Sequence, residues 1–304
     1  MSTLSPQVRA GSGTPGAPSS AAGAPRRRAA RRRWSLGRVG AELGMLVVAA
    51  VFFFPFYVFL AVALKTPADL AASPLAFPTD PALANFAEAW QRGDLGQAMG
   101  NSVVVTALSV ALLVLAGSFA AYALARRASR LSYGLYLAFL LGLMIPLQLG
   151  MVPLYQLMRD ANLLQTYTSL IIFEVGHQLP LVVFLYTGFL RALPREYEEA
   201  ARVDGAGTIT AFRKIVFPLL RPITGTVVIL TSINIWNDFL TPLLYVGGSA
   251  QQTLPVAIFA FRGEFASQWQ IIFAGMGIAI LPILVVYFLL QKYIIKGFAS
   301  GIKG

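Results

Sequence analysis

Six polar side chains sit inside segments that are otherwise almost wholly apolar. Glu174, His177 and Gln178 share one such segment, and Asn234, Asn237 and Asp238 share another. Polar groups at membrane depth are costly and mark cavities, ion paths or helix contacts. Two carboxyls and an imidazole are the parts of a proton relay. The plainer alternative is that Glu174 hydrogen-bonds His177 and that Asp238 ties helices together. A third candidate pair, Gln148 and Tyr155, lies beside Pro146 and Pro153, where freed backbone carbonyls would face a cavity. Other chemistry is scarce. With no cysteine there is no thiolate nucleophile, and one histidine does not make a histidine metal cluster. No glycine-rich loop ends in Gly-Lys-Ser/Thr, so no phosphate loop is expected. Neither a catalytic residue nor a metal ligand is assigned.

The elements that must position these residues follow from composition. The 304 residues are 57% hydrophobic and 12% charged, with mean hydropathy +0.67. A soluble domain carries about 25% charged residues. The low charge and long apolar runs predict an all-α integral membrane protein. Six runs are long enough to cross: 43–64, 103–124, 136–158, 169–190, 223–246 and 271–290. Residues 1–40 form a separate basic segment, expected to be disordered, and 41–304 the transmembrane domain. No internal repeat stands out. The first run, 22 residues long, exceeds the apolar core of a cleaved signal peptide.

The net charge of +11 would suit nucleic acid, but its placement argues for a membrane. Twenty of the 24 lysines and arginines fall in the two termini and in the segments after the second and fourth runs. The others are Lys65, Arg92, Arg159 and Arg262. By the positive-inside rule both termini are expected in the cytoplasm. "RRRAARRRW" then reads as a topology signal touching anionic lipid.

The most polar stretch of the second half is 194–218. Pro194 suits the opening of a helix. Glu196, Glu198 and Glu199 follow at its positive end, and Glu198 pairs in register with Arg202. Gly205 and Gly207 end that helix, Thr208 caps a second, and Pro218 interrupts it. Ala200 and Ala201 are small enough to seat in a partner's groove, with carboxylates to pair with arginines at its rim. The pattern superficially matches a DNA-reading helix-turn-helix. It is tethered at both ends to spans, however, and its acids would repel phosphate.

"EAARVDGAGTITAFRKIVFP" resembles the EAA signature of binding-protein-dependent ABC importer permeases. The matching positions are Glu199, Ala200, Ala201, Gly205, Ile215 and Pro218, with Phe217 where the family has leucine. "MIPLQLGMVPLYQLM", "WNDFLTPLLY" and "GFASGIKG" extend the resemblance to the carbohydrate branch, specifically the smaller six-span permease of the maltose-importer type. Residues 1–33 fall outside it. The resemblance implies the type I permease fold, with 194–218 as a coupling loop docked on a cytoplasmic ATPase. Glu198, Glu199, Ala200, Ala201, Asp204, Gly205, Ile215 and Pro218 would form the coupling set. Glu199 would pair with a basic residue of the ATPase.

It further implies a second homologous permease, two ATPase subunits, an extracytoplasmic solute-binding protein and the bacterial inner membrane. ATP and magnesium would be bound by the ATPase and no cofactor by this chain. The outer segments 65–100 and 247–269 would face the binding protein, and the tail from Lys292 the ATPases. Gln148, Tyr155, Glu174, His177, Gln178, Asn234, Trp236, Asn237 and Asp238 are the pathway candidates. Amides beside the aromatic faces of Trp236, Phe239 and Tyr245 suit a sugar's hydroxyls and C–H faces. Two rivals stand against this reading. One is a stand-alone proton-coupled transporter using Asp238, Glu174 and His177. The other is a membrane-tethered regulator with a DNA-binding N-terminus.

Overall fold

The computed structural model describes residues 36–264 and 268–301, and every regular element among them is helical. The basic tract and the Pro/Gly tract before it lie outside the described residues. The chain divides into two compact units, 1–51 and 52–304. In the first, the described residues form the leading part of α1 (Leu36–Ala63), so helix begins inside the segment expected to be disordered to residue 40. Its Met45, Leu46 and Val47 are all exposed, as lipid-facing residues would be.

The second unit continues through α2 (Pro67–Ala72), α3 (Ala84–Arg92), α4 (Leu95–Arg126), α5 (Arg130–Gly142), α6 (Leu147–Asp160) and α7 (Tyr167–Ala192). The polar stretch holds α8 (Glu196–Val203), α9 (Thr208–Ala211), a π-helical turn over Phe212–Val216 and α10 (Phe217–Leu219). Then come α11 (Arg221–Asn237), α12 (Leu240–Val246), α13 (Leu254–Glu264) and α14 (Trp269–Gly301).

Among the described residues, four helices are long and apolar enough to cross a membrane: Gly40–Ala63, Leu95–Arg126, Tyr167–Ala192 and Trp269–Leu289. The other two expected spans are not single helices. α5 and α6 meet at 98°, because Pro146 is extended (φ −61°, ψ 125°) and cannot continue α5. The expected span 223–246 breaks at Asp238, also extended (φ −65°, ψ 127°), between α11 and α12. Its Oδ1 accepts from the N–H groups of Leu240 (3.1 Å) and Thr241 (3.4 Å), which satisfies donors at the start of α12. A 74° bend at Leu220 separates Thr208–Leu219 from α11.

The most extensive pairing is α4 against α7. Leu113, Val182, Tyr186 and Leu190 are fully buried between them. Gly117 makes the approach possible: a Cβ there would lie 2.4 Å from Val182 Cγ1. Close approach over small residues is how membrane helices gain contact without a hydrophobic drive.

The two segments expected as outer loops are built structures. Buried Lys65 donates to the carbonyls of Ser73 and Pro74, and Asn85 Nδ2 donates to those of Ala63 (2.8 Å) and Lys65 (2.9 Å). Asn101 on α4 donates to the carbonyls of Ala250 and Gln252, both at 2.8 Å, and so holds the segment that leads into α13.

Candidate functional site

α8 presents two faces of opposite character. Its first turn holds Glu196, Glu198 and Glu199 and no base. Glu198 turns inward and is buried. Its Oε1 accepts from Arg126 Nε at 2.6 Å and its Oε2 from the Tyr122 hydroxyl at 2.9 Å. The two charged side chains are only 10% and 4% exposed. Arg126 also donates to the carbonyls of Leu190 (2.8 Å) and Leu193 (3.3 Å). One guanidinium thus joins the end of α4, the end of α7 and α8. The sequence reading placed Glu198 in register with Arg202 and among the coupling residues; its ion pair is with Arg126, inside the protein.

The opposite face is open. Glu199, Ala200 and Asp204 are exposed, while Ala201 is buried. Two apolar side chains stand out beside them: Val203 is 88% exposed and Ile209 68%. Nothing in the residue pattern had singled them out.

Between them the chain turns on Gly205, whose φ of +83° favours glycine. Ala206 N–H bonds to the Ala201 carbonyl (2.9 Å) and Gly205 N–H to that of Arg202 (3.0 Å), which together close a Schellman motif. The second helix opens differently from expectation. Gly207 stands at its N-cap and Thr208 is its first residue; likewise α8 begins at Glu196 with Arg195 as its N-cap, so Pro194 lies outside it. Ala211, Phe212, Val216 and Leu220 point into the core, with Phe212 against the rings of Phe119 (4.5 Å) and Tyr122 (4.9 Å). Ile215 and Pro218 are half-buried at its edge.

The interior polar residues largely converge. Glu174, His177 and Gln178 of α7 face Asn234, Asn237 and Asp238 of α11 and its end across a cavity of about 380 Å³. Asp238, rather than His177, is the polar neighbour of the Glu174 carboxyl. His177 instead stacks on Phe173, centroids 5.8 Å apart. Phe173 therefore supplies the aromatic wall that the sequence reading gave to Trp236.

Trp236 turns the other way. It is buried, its indole N–H donates to the Ala279 carbonyl at 3.2 Å, and with Phe239 it lines a separate apolar cavity. Gln148 is exposed, and Tyr155 lines another hollow with Arg159 and Tyr245. Neither reaches the polar cavity. Among the described residues no cluster of His, Asp and Glu is placed to hold a metal.

A bundle of apolar helices, a polar interior cavity and a helix–turn–helix loop clamped to two spans together define the membrane subunit of a transporter. Residues 113–300 match the family of binding-protein-dependent transport system inner membrane components, and the chain belongs to that family. It is 41% identical to the melibiose/raffinose/stachyose import permease MelC of Bacillus subtilis (strain 168), over 85% of this chain and 94% of that protein. It is 33% identical to the probable starch degradation products permease AmyC of Thermoanaerobacterium thermosulfurigenes, over 84% and 93%.

Its fold matches a chain in the crystal structure of a bacterial ABC transporter involved in import of the acidic polysaccharide alginate. The TM-score is 0.71 at 20% identity, covering 86% of this chain and 98% of that one. The chain is thus an ABC importer permease subunit of the inner membrane and not itself an enzyme. The same finding supports the importer reading over the stand-alone proton-coupled transporter. An importer of this family works with an ATPase and a solute-binding protein.

Proposed function

We propose that this chain is one of two homologous permease halves in an ATP-driven importer of a sugar or oligosaccharide, assembled with two ATPase subunits and one extracytoplasmic binding protein. The two relatives named above carry oligosaccharides or starch products by their names, which supports the substrate class. Both termini and the 194–218 loop lie in the cytoplasm, in keeping with the charge distribution. The outward face of α8 docks on an ATPase. Glu199 pairs with a basic residue there, Ala200 allows close seating, and Val203 and Ile209 fill apolar hollows. The cavity between α7 and α11 forms this subunit's share of the pathway, with Asn234, Asn237 and Gln178 offering amides to hydroxyls. ATP and magnesium act on the partner.

The observation that carries this reading is the split between neighbouring glutamates. Glu198 is satisfied inside, while Glu199 has no partner among the described residues. The test is co-purification of the ATPase through this subunit, with the second permease present. Wild type should retain it, and Glu199→Lys and Gly205→Asp should lose it. Equal retention by both variants would refute the docking role.

A further inference from the structure

Four arginines line one hollow where α4 turns into α5, and among the described residues no acid pairs with them. Arg127 and Arg130 come from that turn, and Arg191 and Arg195 from the end of α7 and the approach to α8. With Ser129 and Tyr133 they line a cavity of about 430 Å³. Among the described residues none of the four forms an ion pair or donates a side-chain hydrogen bond. Arg191 alone has a contact, 4.5 Å above the Tyr136 ring. Arg126, next in sequence, is by contrast fully engaged by Glu198 and two carbonyls.

All four are exposed, and like charges around one open hollow raise a positive potential that draws an anion to it. The backbone adds to the field. Arg130 occupies the first turn of the 13-residue α5, which carries no acid. A cation there opposes the helix dipole, whereas an anion would be drawn by both the dipole and the arginines. A topology signal would need positive charge in a loop. It would not need four guanidiniums from two separate segments converging on one cavity.

The neighbouring surface selects among anions. Leu131, Leu135 and Leu141 on α5 are 73%, 48% and 60% exposed, an outward apolar face on a helix of a membrane subunit. A ligand with its phosphate among the arginines and its acyl chains along α5 uses both features, while a soluble phosphate uses only one. We propose that this pocket binds the headgroup of an anionic phospholipid. The proposal is independent of the sugar assignment.

The test is native mass spectrometry of the assembled, delipidated transporter, titrated with phosphatidylglycerol and with phosphatidylcholine of the same acyl chains. Wild type should retain phosphatidylglycerol preferentially. Arg130→Gln/Arg191→Gln should weaken that retention by roughly 30-fold, at the usual worth of a basic residue near an anionic surface. Arg130→Lys/Arg191→Lys should keep most of it, and both variants should assemble normally. Replacing the six arginines within 26–33 by glutamine controls for the basic N-terminal tract and should leave the preference intact. Equal retention of both lipids would overturn the proposal, as would loss of preference in the N-terminal variant alone. Displacement of the lipid by millimolar inorganic phosphate would show a site for soluble anions and would also overturn it.

Discussion

Replacing Arg126 by methionine should be among the most damaging single changes in this protein. Methionine keeps much of the arginine's apolar stem but removes three donors. Glu198, its side chain 4% exposed, would be left with the Tyr122 hydroxyl alone. Removing one partner of a buried pair costs about 3–5 kcal/mol. The Leu190 and Leu193 carbonyls would lose their donor too, and fully buried Leu190 would add to the cost. Glu198→Gln should cost less, about 1–3 kcal/mol, because the amide oxygen still accepts from Tyr122.

If the two side chains act as one unit, Arg126→Met/Glu198→Gln should cost less than the sum of the singles by about 1–3 kcal/mol. SDS titration of the purified subunit, followed by the fluorescence of its four tryptophans, reads these differences. Strictly additive losses would show that the 2.6 Å contact carries no coupling, and the account of a clamped loop would fail.

Other perturbations test other joints. Gly117→Ala should destabilise by about 1–3 kcal/mol, because the new Cβ would sit 2.4 Å from Val182 Cγ1, and Val182→Ala should restore much of the loss in the same titration. Asp238→Ala should cost about 1 kcal/mol through the lost acceptor for Leu240 and Thr241, with Asp238→Asn close to wild type; a proton-carrying role would instead make asparagine as harmful to transport as alanine. Gly205→Val should destabilise the loop by about 1–2 kcal/mol, since a β-branched residue resists a φ of +83°, and more rapid proteolysis between α8 and α9 should report it.

The sequence shows where chain meets lipid more readily than which way each residue turns. Hydropathy measures transfer free energy, so the six apolar runs were visible. It carries no information on axis direction, so Pro146, at the 98° break, was read as an interruption inside one span, and Asp238, at the other break, as a polar residue inside a continuous one. Glu198 and Glu199 are adjacent and alike in propensity. Only a partner 72 residues away decides which of them is inside. Trp236 went astray for the same reason: it lies one residue from Asn237, yet successive helical residues point about 100° apart. Gly205 was legible because its role is local, set by a backbone angle rather than by a distant contact.

The Arg126 clamp also bears on the scale of motion. It grips the carbonyls of Leu190 and Leu193 at one end of α7, and the same helix carries Glu174 in the cavity wall. Sixteen residues of helix separate Leu190 from Glu174, a lever of about 24 Å. A tilt of about 10° applied at α8 and passed on without slack would sweep the cavity wall through about 4 Å, close to the width of a sugar ring. Stiffness at the base of α7, rather than flexibility in the loop, is what such a stroke requires.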